Sequence, residues 1–244
     1  MNMLKIVLGQ FRSDEKVLSH EKKCFADKLG IREDDLQTIN LLGTELSEDD
    51  FVDADVVFLG GSGDYLVSQG DIPEVLDRVK SLLFTLRDKN VPTMGICFGS
   101  QVICWAFGGL VEKDESRQET GVFEISLKNE AAHDQIFMDF PSKFMAMLGH
   151  KDHLSELPED AISLAGSERS PNQAFKLKNT MMYGVLFHPE LSAQDMMFRL
   201  KMFADVYGIS ERDMLDKEKE LDVDVTLASS VLNRFLNLVK DAKK

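Results

Sequence analysis

The sequence predicts an α/β fold: an open, mostly parallel sheet with helices on both faces and a mixed-strand extension. Three observations carry this. Short apolar runs alternate with helix-patterned segments through the first part of the chain. One apolar strand ends abruptly at a cysteine set between glycines, and a helix starts at once. From residue 121 onward, short strands follow one another with little helix between them. Strand–helix alternation is the pattern of parallel strands joined by crossovers, whose helices must cover both faces.

The elements follow in order. Buried strands are expected at 4–8, 36–42, 56–59 and 92–96, with a helix at 21–29. A second helix is expected at 73–87, where Val75, Leu76, Val79, Leu82, Leu83 and Leu86 recur at helical spacing. Asp71 and Pro73 suit its start and Asn90 its end. A helix then runs through Val102, Ile103, Trp105, Ala106 and Phe107 until Gly108-Gly109 stops it. Strands are expected at 121–127, 144–148, 161–165, 173–177 and 181–187, as a mixed or antiparallel extension. A helix at 193–206 should turn Met196, Met197, Leu200, Met202 and Phe203 mostly inward as core filler. Residues 1–207 read as one domain and 208–244 as a helical extension. In the extension, 211–220 is charged and helical, and Asp224 suits the cap of a helix with Ala228, Val231, Leu232, Phe235, Leu238 and Val239 on one stripe. That stripe reads as a face packed back on the domain, with a docking or homodimer surface as the alternative.

Composition bounds the function. The 244 residues are 43% hydrophobic, enough for one substantial core. A net charge of -14 argues against nucleic acid or an anionic membrane as partner. No apolar run approaches the length of a membrane span. The segment Met1-Asn2-Met3-Leu4-Lys5-Ile6-Val7-Leu8-Gly9 is too short an apolar run for a secretion signal and reads as the first strand of the sheet. Cys24, Cys97 and Cys104 have no metal-ligand spacing and form no even disulfide framework, so no metal or cofactor is expected. A cytoplasmic location is expected, because a nucleophilic thiolate must stay reduced.

The chemistry lies in Met94-Gly95-Ile96-Cys97-Phe98-Gly99-Ser100-Gln101. A strand–turn–helix lifts the Cys97 side chain clear of the sheet, and the flanking glycines tolerate strain and leave room for a substrate. The helix start offers free N–H groups and a positive dipole end, which favour the thiolate. Cys97 is the candidate nucleophile. Far downstream the run 181–187 enters His188-Pro189-Glu190. On extended backbone, residues i and i+2 point to one side, so the Glu190 carboxylate can orient the His188 imidazole that serves the thiol. A tetrahedral intermediate also needs two fixed N–H donors, one from Phe98 and one from the loop Leu59-Gly60-Gly61-Ser62-Gly63-Asp64-Tyr65.

These motifs, G-x-C-x-G-x-Q and a later H-P-E, resemble the class I glutamine amidotransferases, and the resemblance covers residues 1–207. It implies a flavodoxin-like fold, a Cys97–His188–Glu190 triad and hydrolysis of a γ-carboxamide through a γ-glutamyl thioester, with ammonia released. Leu148-Gly149-His150-Lys151-Asp152-His153, followed by Pro158 and Gln173-Ala174-Phe175, resembles the S-H-G-D region of GMP-synthase-like glutaminases. The family's G-G-P-x-S loop makes Gly61 the second oxyanion donor, although Ser62 stands where proline is usual, which leaves a looser loop. By the same resemblance, Gln101, His150 and Asp152 are substrate-binding. Taken alone, Gln101 reads equally as a solvated first-turn residue, and His150 and Asp152 as surface-loop polar groups. His20, His133 and His153 carry no pattern, and Cys24 and Cys104 read as small buried hydrophobes.

The substrate implied is glutamine or a γ-glutamyl compound, and the partner an ATP-dependent synthetase on a separate chain. No Ser-Gly-Gly-x-Asp-Ser nucleotide loop appears in these residues. A stand-alone γ-glutamyl peptide or amide hydrolase uses the same triad and is the alternative. A redox sensor of the same fold is a third reading, disfavoured by the His-x-Glu at a later strand end.

Overall fold

The computed structural model describes residues 4–43 and 47–244; the first strand expected in the Met1–Gly9 segment lies partly outside the described residues. The first part of the chain lays down β1 (Ile6–Gln10), α1 (Glu15–Leu29), β2 (Leu36–Asn40), α2 (Glu48–Val52), β3 (Val56–Leu59), α3 (Pro73–Asp88), β4 (Thr93–Ile96) and α4 (Phe98–Ala106). The middle is strand-rich: β5 (Leu110–Lys113), β6 (Glu119–Leu127), β7 (Lys143–His150), β8 (Asp152–Glu156), β9 (Ala161–Gly166), β10 (Ala174–Leu177) and β11 (Met182–Val185). Four helices follow: α5 (Ala193–Met202), α6 (Ala204–Tyr207), α7 (Glu211–Glu220) and α8 (Thr226–Ala242).

Nine strands form one sheet in the order β2-β1-β3-β4-β11-β10-β9-β6-β7. The first five in that order pair in parallel, and β10, β9, β6 and β7 extend the sheet antiparallel. The fold class is therefore the α/β arrangement expected, with its mixed extension. β5 and β8, which local pattern did not announce, form a separate antiparallel ribbon.

Alternation along the strands sorts the core into two layers. Ile6, Leu8, Val56, Phe58, Tyr183 and Val185 face one layer, closed by Phe25 and Leu29 of α1 and by Val231, Leu232, Phe235 and Val239 of α8. Val7, Val57, Leu59 and Met182 face the other, closed by Leu76, Val79, Leu82, Leu83 and Leu86 of α3 and by Val102 and Ile103 of α4. The C-terminal α8 thus packs back on the sheet, with the Phe235 ring 5.9 Å from Phe58 and 5.7 Å from Tyr183. Leu236 is buried in its stripe, and Leu238 is only half-buried.

Several boundaries differ from expectation for local reasons. α1 begins at Glu15 rather than 21, because Asp14 caps it by accepting from the Lys16 and Val17 N–H groups at 2.7 and 3.2 Å. Pro73 opens α3, but Asp71 instead accepts from Leu66 N, at 2.8 Å, in the preceding loop. Asn90 follows α3 in the left-handed region, φ 54°. The helix expected at 193–206 breaks at Phe203, and Met202 is exposed.

Candidate active site

Cys97 follows β4 directly, with φ 50° and ψ -107°, a conformation rare for a residue with a side chain. Its N–H is tied to Val185 O of the neighbouring β11 at 2.8 Å. The two flanking glycines let α4 start at once. A Cβ on Gly99 would lie 2.3 Å from Leu59 O, and one on Gly95 would lie 2.5 Å from the Gly99 carbonyl. Only bare backbone fits where the first turn of α4 lies on the ends of β3 and β4. The Gly99 N–H bonds to Gly60 O at 3.0 Å, which draws the loop after β3 against the cysteine turn.

β11 runs parallel beside β4, with Val185 opposite Ile96. The chain continues extended to His188, whose N–H bonds to Met147 O at 2.8 Å. His188 Nδ1–H then donates to Glu190 Oε1 at 2.8 Å, both side chains being buried. The imidazole also feels the Cys97 sulfur beside it. Burial opposes charge on His188, but the Glu190 carboxylate and the Cys97 sulfur outweigh it and hold the imidazolium well above its usual range. Burial likewise opposes charge on Glu190, and His188 overrides it to keep the carboxyl below its usual range. The Cys97 thiol faces Gly149 O at 3.7 Å.

Gly61 stands against this pair, since a Cβ there would lie 3.5 Å from His188 Cε1 and 3.8 Å from Cys97 Cβ. Neither the Gly61 nor the Phe98 N–H is hydrogen-bonded among the described residues. The loop is firmer than the missing proline suggests. Ser62 Oγ accepts from the N–H groups of Asp64 and Tyr65 at 3.2 and 2.9 Å, making a serine turn in proline's place.

Gln101, His150 and Asp152 are buried, not solvated. Gln101 Nε2 and His150 Nδ1 converge on Asp152 O at 3.1 and 3.0 Å. The Asp152 carboxylate accepts from Ser68 N and Ser68 Oγ at 2.9 and 2.6 Å. The three are thus brought together behind the corner between β7 and β8. None of them lines the cavity above Cys97; Gly149, from the same segment, does.

Four lining or supporting residues escape local sequence reading: Arg12, Glu21, Arg199 and Phe203. Arg12 follows β1 at the carboxyl end of the sheet, the position where such folds place their sites, and that was the available signal. Its Nη2 and Nε bond to Glu21 Oε1 at 2.8 and 3.1 Å. Burial opposes the Arg12 charge, yet the Glu21 pair raises its proton affinity. Arg199 of α5 donates from Nε to His20 Nδ1 at 3.1 Å and reaches Glu21 only at 3.9 Å. Burial, followed by the Arg12 charge, draws it down to about 10. The Phe203 ring packs on Gly63, whose φ is 100° and where a Cβ would lie 2.8 Å from the ring. The cavity left above Cys97 is only about 30 Å³, room for a water or two.

Comparison with known proteins assigns the family. Residues 44–204 match the model of the family "Glutamine amidotransferase class-I". The chain is 34% identical over 139 residues to the glutamine-hydrolyzing GMP synthase of Thermosipho africanus, covering 57% of this chain and 24% of that one. It is 35% identical over 137 residues to one subunit of the glutamine-hydrolyzing GMP synthase of Pyrococcus abyssi, covering 56% and 66%. Against the corresponding subunit of Methanococcus vannielii it is 39% identical over 105 residues, covering 43% and 53%. The matches therefore span less than two thirds of each relative's length. Among solved structures, a glutamine amidotransferase from Thermotoga maritima superposes with a TM-score of 0.78 at 20% identity, over 98% of this chain and 99% of that one, a likeness of fold. A glutamine amidotransferase from Methylobacillus flagellatus gives 0.71 at 19% identity, over 98% and 94%. A cysteine turn and histidine strand built on this sheet, with a family match running through both, leave one assignment: the chain belongs to the class I glutamine amidotransferase family.

Proposed function

We propose that this chain is a glutaminase of the amidotransferase type, releasing ammonia from the γ-carboxamide of glutamine for a separate ATP-dependent synthetase chain. The observation that carries the reading is the buried His188–Glu190 pair, 2.8 Å apart, set beside a cysteine held at a strained strand end. The Cys97 thiolate attacks the γ-carbonyl carbon, and the oxyanion that forms is held by the N–H groups of Gly61 and Phe98. The His188 imidazolium gives its proton to the departing nitrogen, so ammonia leaves and a γ-glutamyl thioester remains on Cys97. Neutral His188 then takes a proton from water, whose oxygen attacks the thioester. Glutamate departs and the thiol is restored. Glu190 keeps the imidazole in orientation and offsets its charge. Gln101, His150 and Asp152 shape the wall on which the amino-acid end of the substrate rests, through the carbonyl they share and the Gly149 backbone beside it.

The synthetase partner rests on the relatives that are named as one subunit of GMP synthase. The three free cysteines suit a reducing compartment such as the cytoplasm, and among the described residues no helix is long and apolar enough to cross a membrane.

Glutamate release from free glutamine, beside a panel of γ-glutamyl peptides, tests the reading. Cys97→Ser and His188→Ala should each lower the rate by several orders of magnitude, and Glu190→Gln by less. A preference for peptides over glutamine would replace the synthetase-coupled role with that of a stand-alone γ-glutamyl hydrolase. Silence toward glutamine with Cys97 still labelled by a glutamine-analogue electrophile is the behaviour of a glutaminase that waits for its synthetase. Absence of both turnover and labelling would overturn the proposal.

A further inference from the structure

Glu119, His150 and His153 come from β6, the end of β7 and β8, and meet in the interior. Glu119 and His150 are opposite one another in the β6–β7 ladder. All three residues are buried, and their donor atoms lie within 4.8 Å of one another. His150 Nε2 stands 3.2 Å from Glu119 Oε2. The two imidazole rings meet edge to face, with centroids 5.1 Å apart.

The outer nitrogens decide what the inner ones offer. His150 Nδ1 faces Asp152 O at 3.0 Å, and His153 Nε2 faces Asp114 O at 3.3 Å. A carbonyl can only accept, so both outer nitrogens carry hydrogen and each neutral ring turns a lone pair inward. Both inner atoms, His150 Nε2 and His153 Nδ1, lack a hydrogen-bond partner. Ser167 Oγ donates to Glu119 Oε1 at 2.7 Å, and Gln173 Nε2 donates to the inward Oε2 at 2.6 Å, leaving that oxygen a further lone pair. Three electron-rich atoms therefore face one another in the buried interior. A proton shared between His150 and Glu119 relieves one edge of this triangle and leaves His153 Nδ1 unmet. A cation relieves all three.

We propose that Glu119, His150 and His153 form a binding site for a divalent transition metal of the zinc type, structural in role. Two imidazoles and one carboxylate are a donor set suited to zinc. With metal–ligand bonds of about 2.0–2.1 Å, a tetrahedral edge is about 3.3 Å, close to the 3.2 Å between His150 and Glu119. His153 reaches the same spacing by closing about 1.5 Å at most. Each ligand has the outer-shell hydrogen bond that fixes ring tautomer and carboxylate orientation at metal sites. None of the three lines the cavity above Cys97, so the ion takes no part in amide hydrolysis. It pins the corner that presents Gly149 O to Cys97 and Asp152 O to Gln101. A second cluster, His20, Cys24 and Asp195, lacks these properties. There Arg199 Nε occupies His20 Nδ1 and sets a guanidinium beside the group.

The test uses the full chain, stripped with a chelator and dialysed against zinc or cobalt chloride. Elemental analysis should find one ion per chain, the cobalt form should show visible ligand-field bands, and the metal should raise Tm. Glu119→Gln keeps the shape and the Ser167 contact but loses the anionic ligand, and should weaken binding by about tenfold or more. His153→Asn should do the same, whereas His20→Asn should leave stoichiometry unchanged. Failure of the wild-type chain to retain either ion overturns the proposal, whatever the variants do. So does retention that is unchanged in Glu119→Gln and His153→Asn, or that is lost in His20→Asn.

Discussion

On one side of Cys97, the groups around Asp152 at the corner between β7 and β8 are matched to one another, although His150 Nε2 and His153 Nδ1 deeper in that corner are not. Gln101 and His150 share the Asp152 carbonyl, and the Asp152 carboxylate is filled by Ser68. On the other side, α5 presents Arg199, whose Nη1 and Nη2 have no hydrogen-bond acceptor among the described residues. Arg12 and Arg199 there share Glu21 as their ion-pair partner, at 2.8 and 3.9 Å, with the Glu190 carboxylate acting on both from farther off. A buried cation with unmet donors is destabilising, whereas a filled carboxylate is not. The unsettled wall is also the one that closes the cavity, through the Phe203 ring on Gly63. The wall that fixes the backbone beside Cys97 and the wall that closes the cavity are thus different ones.

Substitutions can break that contrast. Arg12→Met strips Glu21 of its close partner and should lower unfolding free energy by about 3–5 kcal/mol in urea titrations. A loss below about 1 kcal/mol would mean that Arg199 swings onto the vacated oxygen. Asp152→Asn should cost about 1–3 kcal/mol, because Ser68 loses a charged acceptor on the settled wall. Arg199→Met should be neutral or raise stability by about 1 kcal/mol, since it removes the cation that Glu21 does not reach. If that variant were also destabilised by several kcal/mol, the two walls would be alike.

The smallest effect is read through pH. In the folded protein His188 titrates above its ordinary 6.5, so its contribution is whole below 6.5 and is lost as pH rises through the folded value. Glu190 titrates below its ordinary 4.5, so its contribution is whole above 4.5 and is lost as pH falls through the folded value. Both are complete only between 4.5 and 6.5. The Tm gap between wild type and Glu190→Gln should be widest in that window and narrow on either side. A gap independent of pH would show that the pair does not change protonation on folding.

What is legible in the sequence is what is local. β3 and α7 lie where pattern places them, because each is a run whose neighbours along the chain decide it. The Cys97 turn is legible because its glycines answer to backbone contact a few residues away, and His188 meets Glu190 because i and i+2 share a side. β1 lies two residues later than its apolar run suggests, since Gln10 is polar yet buried, held by Leu18 O and Glu21. β5 and β8 escape because a two-stranded ribbon with mixed polarity has neither clean alternation nor an apolar run. Arg199 is hidden within an apolar helix face, since its neighbours His20 and Glu21 are brought there only by the fold.

The position of α8 sets an order in time. Lys28 Nζ donates to Ser229 Oγ across 201 positions of sequence, and Phe58 waits under Phe235. At about 5–20 residues per second, a ribosome takes about 10–40 s to make the helix after α1 has been made. Through that interval Phe25, Phe58 and the strands beneath them have no roof, and the nascent chain carries an open apolar face for a chaperone to shield.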